Sequence, residues 1–251
     1  TADKPYSVVK QFRPALNVIQ ERLTALRQEP VRISMQVAKN YQQGVDDLVE
    51  GKVDFARFGP ASYIAAKRQN SAIEVIAAES KNGEKTFNGI ICVPQDSDIQ
   101  QPSDLRGKRF AFGNQASTIG RYLAQLYLAE QGIKAEDLQE YAYLDRHDKV
   151  GSAVSAGTYD AGALKESTFK KLNKKGAKLR ALASFPNVTK PWIARSGMDP
   201  QLFKQLRQVL INIDDQPVFN ALGKNGFVLA DDGDYERIRQ SIERNTEFFQ
   251  P

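Results

Sequence analysis

Lys108 to Gly132 reads KRFAFGNQASTIGRYLAQLYLAEQG, a strand, a polar turn and a helix in immediate succession. Lys108 to Gly113 is a short apolar, aromatic-rich strand. From Arg121 onward, Tyr122, Leu123, Leu126 and Tyr127 recur at helical spacing, and Gly132 supplies a C-terminal stop. Between strand and helix lies a polar turn, Asn114 to Gly120, with two adjacent hydroxyls, Ser117 and Thr118, where the helix should start. The first amides of a helix have no acceptor inside it, and the aligned peptide dipoles make that end positive. A strand, polar turn and hydroxyl-capped helix therefore form a potential cradle for an anion. The plainer alternative is that Ser117 or Thr118 only caps its own helix.

Composition limits what such a site can serve. The chain has 251 residues, enough for one large domain or two small ones with a real core. It is 41% hydrophobic and 26% charged, and no run approaches the roughly 18 apolar residues of a membrane helix. The net charge of +5 is mild and suits an anionic ligand. The densest basic patch, Lys170, Lys171, Lys174, Lys175 and Lys178, has no interleaved aromatics and reads as a solvated face, not a nucleic-acid site. One histidine and one cysteine exclude a zinc cluster, and no metal or cofactor is expected. Cys92, within Ile90-Ile91-Cys92-Val93, has no disulfide partner and is expected to be buried. The sequence opens at Thr1-Ala2-Asp3-Lys4-Pro5 without a signal peptide, which reads as a leader removed or left out.

Outward from the opening stretch, strands alternate with helices. Helices are expected from Pro5 to Leu26 (with Pro14 as a caution), from Tyr41 to Val49, from Ser62 to Arg68, after Asp145 to Ala156, after Lys165 to Asn173, over Asp199 to Ile213, over Gln216 to Lys224, and over Asp234 to Phe249. Strands are expected over Val31–Val37, Val53–Phe58, Ile73–Ala78, Phe87–Val93, Leu138–Leu144, Tyr159–Leu164, Leu179–Ser184 and Trp192–Ala194. This alternation indicates an α/β class with mainly parallel sheets, whose strand C-terminal ends gather where such sheets bind ligands. An internal repeat sharpens the picture. Gly51-x-x-Asp54, an apolar run and a turn with Ser62 match Gly157-x-x-Asp160, an apolar run and a turn with Ser167-Thr168. Two lobes with the same wiring explain the coincidence.

With these marks together, the chain resembles the phosphonate/phosphate-binding subunits of bacterial ABC importers, within the type II periplasmic binding proteins. The marks are Gly51-Lys-Val-Asp54, Phe58-Gly-Pro-Ala-Ser62-Tyr63, Asp104-Leu-Arg-Gly107 with the strand after it, Ser117-Thr118-x-Gly120, His147-Asp148, and Gly157-x-x-Asp160-Ala-Gly. The resemblance implies two lobes joined by two crossover strands and closing as a hinge, with lobe 1 at 1–90 and 194–251 and lobe 2 at 91–193. It places the family's first strand just before Thr1. It implies a periplasmic protein that holds a small anion in the interlobe cleft and hands it to the membrane permease of an ABC importer. It assigns oxyanion contact to Ser117 and Thr118, with Ile119 and Gly120 completing the turn, and ligand contact to Tyr41 and His147. Glu166 would meet a ligand's amino group. Two positions depart from the family pattern: Phe87 stands where a Tyr is usual, and Lys190 where an acid is common. Both favour a smaller or more anionic ligand over an aminoalkylphosphonate.

Each assignment has a structural counterpart. Ser62 and Tyr63 open a helix in the other lobe and are candidate contacts or plain helix-start residues. Tyr41 and Phe87 could be packing, Glu166 a carboxylate favouring its own helix, and Lys190 a solvated charge. Asp54 and Asp160 are read as structural. If His147 touches the anion, its protonation adds positive charge and affinity falls as pH rises through its pKa. Two rival functions remain. One keeps the fold as the extracytoplasmic sensor domain of a membrane signalling protein of the histidine kinase type, with its own membrane-spanning segment. The other is an enzyme using His147 and Asp148, disfavoured because nucleophile elbow, phosphate-binding nucleotide loop and dinucleotide fingerprint are all missing.

Overall fold

The computed structural model describes residues 5–250. Nine helices and nine strands are assigned among the described residues: α1 Pro5–Arg27, α2 Tyr41–Val49, β1 Phe55–Arg57, α3 Pro60–Gln69, β2 Glu74–Ser80, β3 Thr86–Pro94, β4 Arg109–Phe112, α4 Ala124–Glu130, β5 Glu140–Tyr143, α5 His147–Ser155, β6 Ala161–Lys165, α6 Glu166–Lys174, β7 Leu179–Val188, β8 Pro191–Ala194, α7 Pro200–Ile211, α8 Gln216–Leu222, β9 Gly226–Val228 and α9 Glu236–Glu243. They form two compact units, one of Thr1–Lys85 with Val188–Tyr235, the other of Thr86–Asn187 with Glu236–Pro251. The C-terminal helix thus belongs with the second unit, where the sequence placed it with lobe 1. The reason is apolar: the Phe248 ring meets Phe112 edge-on at 5.7 Å, inside the second unit's core.

The first unit is built on a four-stranded sheet in the order β1-β8-β2-β9. Helix α1 lays Phe12, Ala15, Leu16, Ile19 and Leu23 against Trp192, Ile76 and Ala77 from the sheet and Leu206 and Leu210 from α7. Pro14 does not break α1, because this continuous apolar stripe holds both of its halves on one core. The sheet corrects the expectation of mainly parallel strands here. β8 is antiparallel to β1 and β2, and β9 is antiparallel to β2. The chain re-enters this unit at Val188, and the returning strand β8 slots between β1 and β2.

A second correction concerns Val31–Val37, which forms no strand. Its side chains do alternate, and Val31, Ile33 and Met35 pack on the core. Two of its amides, however, go to helix side chains: Val31 donates to Thr24 Oγ1 at 3.1 Å and Ile33 to Gln20 Oε1 at 2.8 Å. The alternation therefore records a buried face without a ladder.

The repeat is real at atomic level. Gly51 and Gly157 both sit at φ +73°, where a side chain would be strained. In one unit Lys52 and Val53 donate to Asp47 O; in the other Thr158 and Tyr159 donate to Ala153 O. Each repeat's aspartate then holds an arginine: Asp54 binds Arg195 Nε at 3.1 Å, and Asp160 binds Arg109 through Nε at 3.1 Å and Nη2 at 2.7 Å. The hydrogen bonds and charge of Arg109 outweigh partial burial and hold the Asp160 carboxyl below the usual carboxylate range.

The second unit has a five-stranded sheet in the order β5-β4-β6-β3-β7. Here β4 runs parallel to both β5 and β6, and β3 runs antiparallel to β6. Residues Asp234 to Phe249, expected as one helix, divide into the end of a 3-10 turn, α9, and a second 3-10 turn Arg244–Phe248. Cys92 is buried as expected, and burial pushes its thiol up to about 12, which removes it as a nucleophile. Among the described residues no helix is long and apolar enough to cross a membrane.

Candidate anion site

Because β5, β4 and β6 are parallel, their C-terminal ends reach the same edge of the second sheet. The segments leaving that edge are the turn after Phe112, the turn from Leu144 into α5, and the junction of Lys165 with Glu166. The antiparallel strand β3 starts there, with Gly89 opposite Lys165. One edge thus gathers Ser117, Thr118, Ile119, Gly120, His147, Glu166 and Phe87.

The turn after β4 is tightly specified. Asn114 accepts the Ala116 amide on Oδ1 at 2.8 Å and the Ser117 amide on its carbonyl at 2.9 Å, and its side chain donates to Asp145 Oδ1 at 3.1 Å. Ser117 is an N-cap: its Oγ accepts the Gly120 amide at 2.9 Å. Its carbonyl accepts from both Arg121 and Tyr122, at 3.1 and 3.3 Å, so the helix begins with a π-helical turn, Thr118–Leu123, before α4. Such widened turns occur often at functional sites. A hydroxyl that accepts at its oxygen still has a proton to donate, so the capping and anion-binding readings of Ser117 are compatible. Thr118 is 7% exposed.

Two glycines set this geometry. Gly113 donates its amide to Gly120 O at 2.8 Å, and a Cβ on Gly120 would lie 2.8 Å from the Gly113 Cα. The obstacle is backbone, so Gly120→Ala must push the turn off the end of β4. Such overpacking costs about 1–3 kcal/mol. The expected result is a lower urea midpoint together with weaker oxyanion binding; a variant with wild-type values for both would show that the close approach is not required.

The other predicted residues divide. His147 is half-buried at the first position of α5, after Asp145 at φ +61°. Its neighbour Asp148 is engaged by Arg146, whose hydrogen bonds hold that carboxyl below its ordinary value. Asp148 is thus the ion-pair partner of Arg146. Glu166 opens α6 and bridges to Lys170 at 2.5 Å one turn on. Phe87 lies under the Lys165 ammonium, 5.1 Å from its ring centroid.

In the first unit, Tyr41 opens α2 next to Asn40, which caps that helix through Oδ1 to the Gln43 amide at 2.8 Å. Ser62 is not a cap: Gly59 is the N-cap of α3, Pro60 follows, and Ser62 is buried in the first turn. Tyr63 follows it in the same turn. It is fully buried, its ring meets Tyr235 at 5.1 Å, and its hydroxyl donates to Asp232 Oδ1 at 2.6 Å. Lys190 accepts the Glu79 amide on its carbonyl, and its charge is among those that keep Glu79 ionised.

One supporting residue escaped the sequence reading. Arg121 follows Gly120 directly and donates to Gln115 O and to Asn245 Oδ1, both at 2.9 Å. Asn245 in turn donates to Gln125 Oε1 at 2.7 Å, and Gln125 to the Tyr143 hydroxyl at 2.9 Å. This network ties the anion turn to a residue 124 positions away, for which no local pattern exists. Among the described residues no group of three His, Cys, Asp or Glu side chains could hold a metal ion.

Residues 2–235 match the model of a family described as "ABC transporter, phosphonate, periplasmic substrate-binding protein". A probable ABC transporter phosphite binding protein, PhnD1 of Prochlorococcus marinus, is 24% identical over 223 residues, covering 80% of this chain and 74% of that protein. The solved structure of PhnD1 with methylphosphonate superposes with a TM-score of 0.78 at 21% identity, covering 98% of this chain and 95% of that one. XAC2383 from Xanthomonas citri, bound to a chloride ion, gives a TM-score of 0.83 at 22% identity, covering 98% and 96%.

Proposed function

This chain belongs to the family of periplasmic substrate-binding proteins of ABC phosphonate transporters, and on that premise we propose that the 113–120 turn is where it takes hold of a small phosphorus oxyanion. Members of the family bind a small phosphonate-type ligand outside the cytoplasm and work with ABC transporter components; they are not enzymes. The observation that carries the proposal is the Ser117-capped, widened helix start at the C-terminal edge of parallel strands. Two hydroxyls and the positive end of the helix converge there, and hydrogen bonds to a charged oxyanion are short and strong. His147 is the proposed further donor. Tyr41 and Ser62 are candidates within the first unit.

The ligand we favour is phosphite, phosphate or methylphosphonate. A relative is named for phosphite and another, in Mycolicibacterium smegmatis, for phosphate import. Phe87 lacks the hydroxyl that the resemblance leads one to expect, which suits a compact ligand. The proposed location is the periplasm and the proposed partner the membrane permease of an ABC importer. The family match supports this role over that of a membrane-tethered sensor. Titration calorimetry with phosphite, methylphosphonate, phosphate and sulfate tests the proposal: a saturable isotherm with at least one phosphorus oxyanion supports it, and no heat with any of them overturns it.

A further inference from the structure

We propose that the lysine face of α6, with the turn that follows it, docks this protein on an anionic lipid surface. From Lys170 to Arg180 the chain reads KKLNKKGAKLR, six cations and no acid. The whole chain carries a net charge of +5, so everything outside this stretch sums to −1. The fold gathers the charges on the outside of the second unit. Phe169 and Leu172 pack on its core, while Lys170, Lys171 and Lys174 are exposed, three and four residues apart and so neighbours on the helix surface. Lys175 ends α6, Gly176 turns the chain at φ +93°, and exposed Lys178 follows. Lys170 pairs with Glu166 at 2.5 Å; among the described residues, Lys171, Lys174, Lys175 and Lys178 are in no ion pair. Arg180 donates to the carbonyls of Ser97 and Ile99 at 3.3 and 2.6 Å, which are uncharged acceptors. The loop that it touches carries Asp96 and Asp98, and Asp98 pairs with Lys108 at 3.4 Å. With Glu166, both aspartates and Lys108 included, seven cations stand against three carboxylates.

Physical chemistry chooses the occupant. A cation or two in its last turn suits the dipole of α6, but like charges at these spacings destabilise a helix, and here five lysines fall within nine residues. Their cost points to a use outside the fold. Protein interfaces are depleted in lysine and centre on Tyr, Trp and Arg, and single-stranded nucleic acid is held on aromatic platforms. Between Lys170 and Arg180 there is no aromatic residue, and the single arginine is engaged with its own chain. A fluid anionic bilayer requires neither a hot spot nor a fixed shape, and each lysine near its surface adds a similar attraction. Beside the lysines, an open groove of about 530 Å³ lined in part by Lys178 and Arg180 leaves room for a headgroup phosphate. The proposal does not rest on the anion turn.

The test is co-sedimentation with vesicles of phosphatidylglycerol and phosphatidylcholine in equal parts, against phosphatidylcholine alone, at low and at high salt. Wild type is expected to bind the anionic vesicles at low salt, to leave them at high salt and to ignore the neutral ones. Lys171→Gln/Lys174→Gln/Lys175→Gln removes three charges with a residue that suits a helix. At about fivefold per lysine, its vesicle affinity should fall about a hundredfold, with the urea midpoint kept. Lys10→Gln/Lys39→Gln/Lys204→Gln removes the same charge from exposed lysines of the first unit and is expected to bind nearly as wild type. Wild type that does not bind anionic vesicles overturns the inference, and so does an equal loss in the two triple variants. Binding only to vesicles that also carry an ABC permease assigns the patch to an acidic protein surface and overturns it too. Should the α6 variant unfold, Lys174→Gln alone is expected to weaken binding about fivefold, and wild-type binding by it is the same refutation.

Discussion

Replacing Ser117 and Thr118 together by alanine is expected to lower affinity for phosphite or methylphosphonate by about 10² to 10⁴. A hydrogen bond to a charged group is worth about 1.5–3 kcal/mol, so two lost donors remove about 3–6 kcal/mol, at 1.4 kcal/mol per tenfold. The helix should survive. Ser117 caps through a single bond to the Gly120 amide at 2.9 Å, and losing such a cap costs about 1 kcal/mol. Thermal unfolding therefore separates the two effects: a midpoint lowered by a few degrees beside an affinity lowered at least a hundredfold identifies a binding site. An isotherm unchanged from wild type would remove these hydroxyls from the site and return them to capping alone.

The largest effect on stability is expected at Glu79. This carboxylate is 1% exposed. It takes Arg57 Nε at 2.6 Å, Arg57 Nη2 at 2.9 Å and the Trp192 indole at 3.3 Å. Burial alone would raise its pKa, but the charge and paired hydrogen bonds of Arg57, helped by Lys190 and Lys224, hold it below the ordinary glutamate value. Glu79→Ala strands the guanidinium and the indole donor. Breaking a buried pair in this way costs about 3–5 kcal/mol. With a urea slope of about 1–3 kcal/mol/M, the midpoint should fall by at least about 1 M. The pH dependence follows from the direction of the shift. A carboxyl whose folded pKa is lowered contributes stability above its unfolded pKa, about 4.3, and loses that contribution as pH falls through the folded value. The gap between wild type and Glu79→Ala should be full at neutral pH and begin to close below about pH 4. A loss under 1 kcal/mol at pH 7 would contradict this account.

What the sequence disclosed were local rules. The Ser117 cap is chemistry within four residues. The paired Gly51 and Gly157 turns are each a glycine at positive φ with an aspartate three places on, and both units repeat them. The misreadings share another cause. Tyr63 reads as a helix-start residue, and no local pattern shows that Asp232, 169 residues later, takes its hydroxyl. Val31 to Val37 alternates like a strand, but the acceptors for the Val31 and Ile33 amides are side chains of α1. β8 lies antiparallel between β1 and β2, strands more than a hundred residues earlier, and no local period records that pairing. The three residues of β9 are too few to show a period at all.

The C-terminal segment has a consequence for the newborn chain. Phe248 and Asn245 are buried parts of the second unit, sealing Phe112 and Gln125, although the rest of that unit ends at Asn187. The second unit therefore cannot finish its core until Asn245 and Phe248 have left the ribosome. Its folding waits for residues 236–250, and contacts this distant along the chain make that step slow. Ribosome-stalled chains ending near residue 235 would hold a second unit still open to protease, and chains extended past Phe248 would hold it closed.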